Sequence, residues 1–245
     1  MSYGFKIIVE GDYACFTRAE FKGDRVSYEV PTPGAMEGLI KSVYWKPAIR
    51  YVIDKIIVYN QIDFINIKRN EVTTKLSERN VKAQMQEPAK DICIYTSDDR
   101  TQRASRILKN VKYGIQFHFE LTDLQNEVES GECNTENKHA EILTRRLKKG
   151  KYFRVPCLGC SECLVNKIIL VDEFDTNEIS KDILGLDDVD LGIMEYKVNF
   201  DDHGIPKNRE WKKENFSDKA TTEYYRPHMI NGVIDVQKWR DGNAD

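Results

Sequence analysis

The chain has 245 residues, 40% of them hydrophobic, and a formal net charge of −3, enough apolar material for an ordinary core in one large domain or two modest ones. The charge is uneven: residues 1–156 carry 26 Lys and Arg against 21 Asp and Glu, a balance of +5, whereas residues 157–245 carry 11 against 19, a balance of −8. No basic start is followed by an apolar segment, and no run approaches the roughly 20 apolar residues that cross a bilayer; this excludes a helical membrane protein and makes the cytoplasm the expected location.

From the N-terminus, "FKIIVEG" reads as a strand, with a turn expected at Gly11-Asp12 before "YACF". Arg18 to Arg25 is charged and expected to be exposed. In "PTPGAMEGLIKSVYW", Thr32 can cap a helix whose first position is Pro33. Ala35 or Met36, with Leu39, Ile40 and Val43, forms its apolar stripe, Tyr44 and Trp45 fall near its end, and Pro47 stops it. Ile49 to Ile67 supplies one or two strands. Lys68 to Arg106 is polar and poorly periodic, with only "DICIYT" strand-like, and reads as a long functional excursion or loop.

The clearest period is in "VKYGIQFHFEL", where Val111, Tyr113, Ile115, Phe117, Phe119 and Leu121 share one side of a half-buried antiparallel strand. After a polar connector from Thr122 to Asn134, Thr135 can cap a helix ended by Gly150, with Ala140, Ile142, Leu143 and Leu147 turned inward. Lys167 to Val171, "LGIMEYKVNF" and "NGVIDV" are further strands, separated by an acidic segment from Asp172 to Asp190. The order predicts an α+β fold with helices against a mostly antiparallel sheet. The charge crossover near Leu158 is the cue for a domain boundary, dividing the chain into 1–157 and 158–245.

Asn137-Lys138-His139 opens the second helix, and residues 138–154 hold seven basic side chains with Glu141 as their one acid. A neutral imidazole in a first helical turn lies near N–H groups that attract an anion and can accept or return a proton. The Lys138 ammonium would neutralise charge developing on a phosphorane oxygen. A solvated basic face, a surface histidine and an ordinary salt bridge have the same sequence appearance. Tyr44 can donate a proton or orient a ribose hydroxyl, or pack with Trp45 in the core; its spacing from His139 does not decide.

His118 lies on the polar face of its strand, and His203 and His228 lie in turn-rich sequence, none with a second histidine at metal-site spacing. Cys157, Cys160 and Cys163 place three soft ligands close together, with Cys15, Cys93 or Cys133 as a possible fourth. The paired zinc spacing and the C-x3-C-P element of ferredoxins are missing, so reduced, mostly structural thiols are expected, with no metal and no cofactor. There is no "GxxxxGK[ST]", "HExxH" or "GxSxG".

Together, "GDYACFTRAEFKGDRVSYEVPTPGAMEGLIKSVYWKPAIR", "IKRNEV", "VKYGIQFHFEL", "NKHAEILTRRLKKGKYFRVPCLGCSEC", "LGIMEYKVNF" and "YYRPHMINGVIDV" resemble the CRISPR-associated Cas-five family of subtype I-C, the d or Dvulg form, within the RAMP superfamily. The resemblance implies an N-terminal ferredoxin-like, RRM-like core with an antiparallel sheet and a smaller C-terminal antiparallel sheet domain. It implies an endoribonuclease that cuts the CRISPR repeat transcript at the base of its hairpin without a metal, by attack of the ribose 2′-OH. The mature crRNA would stay bound as the protein joins the type I-C backbone and large subunits and, through them, target DNA.

The family's catalytic tyrosine, lysine and histidine correspond to Tyr44, Lys138 and His139. RNA contacts are expected from Arg18, Lys22, Arg25, Trp45, Lys46, Arg145, Arg146, Lys148, Lys149, Lys151 and Arg154. Where the family commonly has a "YLGCREF"-like stretch this chain has "CLGCSEC", which favours buried thiols at Cys157 and Cys163 and puts Ser161 in an arginine-like position. Two competing readings are a noncatalytic scaffold that binds the crRNA 5′ handle, and a metal-dependent nuclease.

Overall fold

A computed structural model describes residues 4–21, 23–86, 93–122, 135–202 and 213–242. The chain runs through β1 (Gly4–Ala14), β2 (Arg25–Val26), α1 (Pro33–Val43), β3 (Ile49–Val58), β4 (Phe64–Val72), α2 (Glu78–Gln86), β5 (Arg100–Leu121), α3 (Glu136–Lys148) and β6 (Lys167–Val171). Then follow α4 (Lys181–Leu184), β7 (Val189–Asp190), β8 (Met194–Phe200), β9 (Ala220–Tyr225), β10 (His228–Ile230), β11 (Val233–Asp235) and α5 (Val236–Gly242). None of the described helices is long and apolar enough to cross a membrane.

The period-two stretch forms the centre of the molecule. Val111, Tyr113, Ile115, Phe117 and Phe119 are all buried, and their strand pairs antiparallel with β1 on one side and β3 on the other. With β6 against β1, the strands lie in the order β6-β1-β5-β3. α1 connects β1 to β3 and α3 connects β5 to β6, which is the ferredoxin-like βαββαβ arrangement. α1 packs on β3, α3 packs on β6, and the two helices touch, so both cover the same face. Past β3 the sheet continues through β11, β10 and β7, while β8 and β9 pair as a separate small sheet. Mixed α+β architecture with a large and a small antiparallel sheet is therefore what the chain adopts, β2 alone running parallel to its partner β5.

Both predicted caps form: Thr32 Oγ1 accepts from Ala35 N–H at 3.2 Å and Thr135 Oγ1 from Lys138 N–H at 3.3 Å. Met36, Leu39, Ile40 and Val43 of α1 and Ala140, Leu143 and Leu147 of α3 are buried as their spacing requires. Buried Glu37 ties α1 to β8 through Lys197, at 2.7 Å.

Two expectations are corrected. There is no turn at Gly11-Asp12, because β1 continues through both to Ala14 with its register to β5 intact. Gly11 serves a close approach instead: a Cβ there would lie 2.6 Å from Leu158 Cδ1 and 3.3 Å from the Leu164 carbonyl oxygen. The polar stretch after Lys68 is an excursion whose two ends are paired as an arm: β4 pairs along its whole length with the first part of β5, and α2 and irregular chain lie between them among the described residues. It escaped the alternation test because both faces carry charge, held by Arg69–Glu71, Arg103–Glu71 and the Arg106 guanidinium 4.1 Å from the Phe64 ring centroid. Cys93 to Tyr95, within the segment expected as a strand, is irregular.

Gly159 has φ +84°, and a Cβ there would fall 2.0 Å from the Cys15 carbonyl oxygen. Gly159→Ala is expected to lower the unfolding free energy by about 2 kcal/mol or more, whereas Gly38→Ala in α1, where a Cβ meets nothing within 4 Å, should be neutral or stabilising. Urea unfolding of both variants checks the contrast; equal midpoints would contradict it.

Candidate active site

The end of α1 and the start of α3 meet over the sheet. Tyr44 is the C-cap of α1: its own N–H still bonds Ile40 O while its backbone turns extended at φ −153°, ψ 129°. Its carbonyl accepts the Tyr51 hydroxyl at 2.8 Å, which fixes the cap to β3. His139 sits in the first turn of α3, held by the Thr135 cap. The Tyr44 hydroxyl lies 2.8 Å from His139 Nδ1, joining side chains 95 positions apart. Relative exposure is 4% for Tyr44 and 1% for His139.

Neighbouring groups fix both rings. Phe119 meets the imidazole edge-on with centroids 6.3 Å apart. Arg146 donates to the Val43 carbonyl at 2.7 Å and holds its guanidinium 5.3 Å from the Tyr44 ring centroid. Sequence reading placed Arg146 among RNA contacts and missed this supporting role. The signal was present, since His139 and Arg146 are seven residues apart and share a helical face.

Burial pushes the His139 pKa down, and the positive charges of Lys138 and Lys46 push it further. Burial pushes Tyr44 up, partly opposed by the Arg146 charge. At neutral pH the pair is thus a neutral imidazole and a protonated phenol. His139 Nε2 is buried and has no hydrogen-bond partner among the described residues. If the phenol donates to Nδ1, Nε2 carries the ring proton and is a donor; if Nδ1–H donates to the phenol oxygen, Nε2 offers a lone pair. The dyad can take up or release a proton at one atom.

Lys138 is half-buried beside this pair, and Trp45 and Lys46, directly after Tyr44, are exposed. Arg145, Lys148 and Lys149 are exposed on α3 and, with Asn137, line a cavity of ≈ 620 Å³. Lys151 and Arg154 are exposed on the segment that follows. Arg18 and Arg25 stand elsewhere, on the stretch between β1 and α1. Arg18 makes two bonds to Glu29, at 2.9 and 2.8 Å, and Arg25 bonds Glu162 at 2.7 Å. Lys22, Cys133 and His203 lie outside the described residues.

The other described histidines have structural partners: His118 Nδ1 lies 2.8 Å from buried Asp54, which also receives Arg240, and His228 pairs with Asp188. The sulfurs of Cys15 and Cys160 each lie 3.6 Å from the Thr17 hydroxyl. A hydrogen bond from Cys15, aided by Thr17 and the charge of Arg25, brings the Cys160 thiol down to about 6 despite its burial. Among the described residues no three His, Cys, Asp or Glu side chains are grouped to hold a metal ion.

A family model described as "CRISPR-associated protein (Cas_Cas5)" matches residues 5–237. The chain is 37% identical over 237 residues, 96% of each chain, to the CRISPR pre-crRNA endoribonuclease Cas5d of Mannheimia succiniciproducens. It is 36% identical over 157 residues, 64% of this chain and 60% of the other, to the protein of the same name from Thermus thermophilus. Among solved structures, the functionally uncharacterized protein SMU1763c from Streptococcus mutans superposes with a TM-score of 0.61, covering 95% of this chain and 91% of that one at 23% identity; at that identity the likeness speaks for the fold.

Because the folded state disfavours protonated His139, the unfolded chain takes up that proton first as pH falls below the ordinary histidine value of about 6.5. The stabilisation from neutral His139 is complete above that pH and is lost on acidification. The stability advantage of the wild type over His139→Gln is therefore expected to shrink between pH 7.5 and 5.5, measured by urea unfolding. A gap unchanged by pH would show that the imidazole is not held neutral.

Proposed function

The chain belongs to the Cas5d family of CRISPR-associated proteins, and from that premise we propose that it cuts the CRISPR precursor transcript at the base of the repeat hairpin as a metal-independent endoribonuclease. The observation that carries this reading is the Tyr44–His139 contact at 2.8 Å, which makes one composite group from two of the three residues the sequence singled out.

The chemistry follows from what such a pair can do. The 2′-OH upstream of the scissile phosphate is already tethered to the phosphorus, so holding it in line supplies much of the acceleration. With Nδ1–H donating to Tyr44, Nε2 takes the proton of the attacking 2′-OH as the O–P bond forms and returns it to the 5′ oxygen as the P–O5′ bond breaks, so the imidazole ends neutral. The products are a 2′,3′-cyclic phosphate and a 5′-OH. Lys138 neutralises charge on the non-bridging oxygens as the phosphorane forms. Arg145, Lys148, Lys149, Lys151 and Arg154 bind successive phosphates.

After cleavage the protein keeps the mature crRNA and takes its place with backbone and large subunits of a type I-C effector complex in the cytoplasm, reaching target DNA through that assembly. The burial of both rings favours a second reading, in which the pair only ties α1 to α3 and the protein holds the 5′ handle uncut.

Incubation with the cognate repeat RNA in EDTA separates these. Cleavage is expected, with loss of roughly 10²–10⁴ in rate for His139→Ala and a smaller loss, roughly tenfold, for Tyr44→Phe. A 2′-deoxy nucleotide upstream of the cut should abolish cleavage. Full activity on the deoxy substrate would defeat the proposed nucleophile, and intact RNA would favour the scaffold.

A further inference from the structure

Phe153 is 85% exposed and its neighbour Tyr152 53%, an aromatic pair the function so far does not use. Burying such a ring would be favourable, yet the backbone holds it out. The Phe153 and Arg154 N–H groups both donate to the Ser42 carbonyl, at 2.9 and 3.0 Å, and the Lys151 N–H donates to Arg146 O at 2.9 Å. Gly150 makes the reversal out of α3 at φ +60°, and Pro156 is buried at the far end. The segment is clamped at both ends and in the middle, and the middle clamp is on α1 two residues before Tyr44. Two Cα steps place Ser42 and Tyr44 no more than about 7 Å apart.

The surroundings specify what the ring meets. Residues 148–156, "KKGKYFRVP", contain four cations and no carboxylate. A protein partner would bury Tyr152, Phe153 and Val155, each half-exposed or more, and would have to bring carboxylates to the ammonium and guanidinium groups set among them. A polyanion that also offers flat π faces matches both parts, which is the recognition chemistry of single-stranded nucleic acid.

We propose that Phe153 is the stacking platform for one unpaired nucleobase next to the scissile phosphate, with Lys151 and Arg154 holding the phosphates on either side of it. This rests on the ribonuclease reading, and it adds a base-binding position to a site otherwise built from proton-transfer groups and phosphate contacts. The clamp on Ser42 makes it a positioning device as well. A base held on Phe153 fixes the ribose–phosphate next to it relative to Tyr44, because platform and tyrosine share one rigid helix end.

The test uses the full chain and the cognate repeat RNA made uncleavable by a 2′-deoxy nucleotide at the cut, with single abasic substitutions walked through the flanking nucleotides. Wild-type protein should lose affinity sharply at one abasic position. Phe153→Ala should bind the unmodified RNA about tenfold more weakly and show no further loss at that position, while Phe153→Trp restores both. Binding by Phe153→Ala equal to wild type would overturn the proposal and leave the ring to a protein partner; an equal weakening at every position would overturn it in favour of a general contact. Melting of the alanine variant should match wild type, since so exposed a ring contributes little to folding. Failure of the ribonuclease reading is registered separately, as intact all-ribose RNA after incubation with wild type.

Discussion

One hydrogen bond, Tyr44 Oη to His139 Nδ1, is where the fold and the chemistry meet. It exists because the strand order β6-β1-β5-β3 sends both crossover helices to the same face in opposite directions. The last residue of one helix is then brought to the first turn of the other. Everything that orients the pair comes from elements that arrangement already packs: Tyr51 from β3, Phe119 from β5 and Arg146 two turns along α3.

The bond also carries an imbalance. A buried polar atom without a partner costs on the order of 1–3 kcal/mol, and Nε2 is such an atom among the described residues. Tyr44, by contrast, gains its partner from the pair. The asymmetry, one nitrogen satisfied and the other not, fits the proposed proton transfer, in which the committed nitrogen would fix the tautomer and the other would act.

What could be read from sequence follows how local each signal is. Thr32-Pro33 and Thr135 announced their helices because a cap acts within one turn, and Val111 to Phe119 announced the central strand because one face is fully buried. Gly11 was misread as a turn because a glycine needed for clearance against Leu158 looks the same as one needed for φ. The β4–β5 arm was missed because a strand with charge on both faces has no hydrophobic period. Lys138 and His139 were legible as an ammonium and an imidazole at a helix start, but Tyr44 joined them only through family resemblance, since spacing across 95 residues says nothing about contact. Arg146 was legible as a cation, but its contact with the Tyr44 ring depends on where α1 ends.

Charge, too, acquires meaning only in place. Arg18 and Arg25 differ little in sequence from the cations of α3, but each is bonded to a glutamate, and a phosphate would have to displace that carboxylate to bind. Arg145, Lys148, Lys149, Lys151 and Arg154 are instead exposed on one helix and the segment clamped to its neighbour. On the proposed reading, each phosphate they neutralise would release about 0.7 counterion from a single strand, so the salt dependence of RNA binding would belong mainly to this face. The arginines before α1 act first on protein: Arg18 bonds Glu29 within that stretch, and Arg25 joins the stretch to Glu162 beside the cysteine cluster.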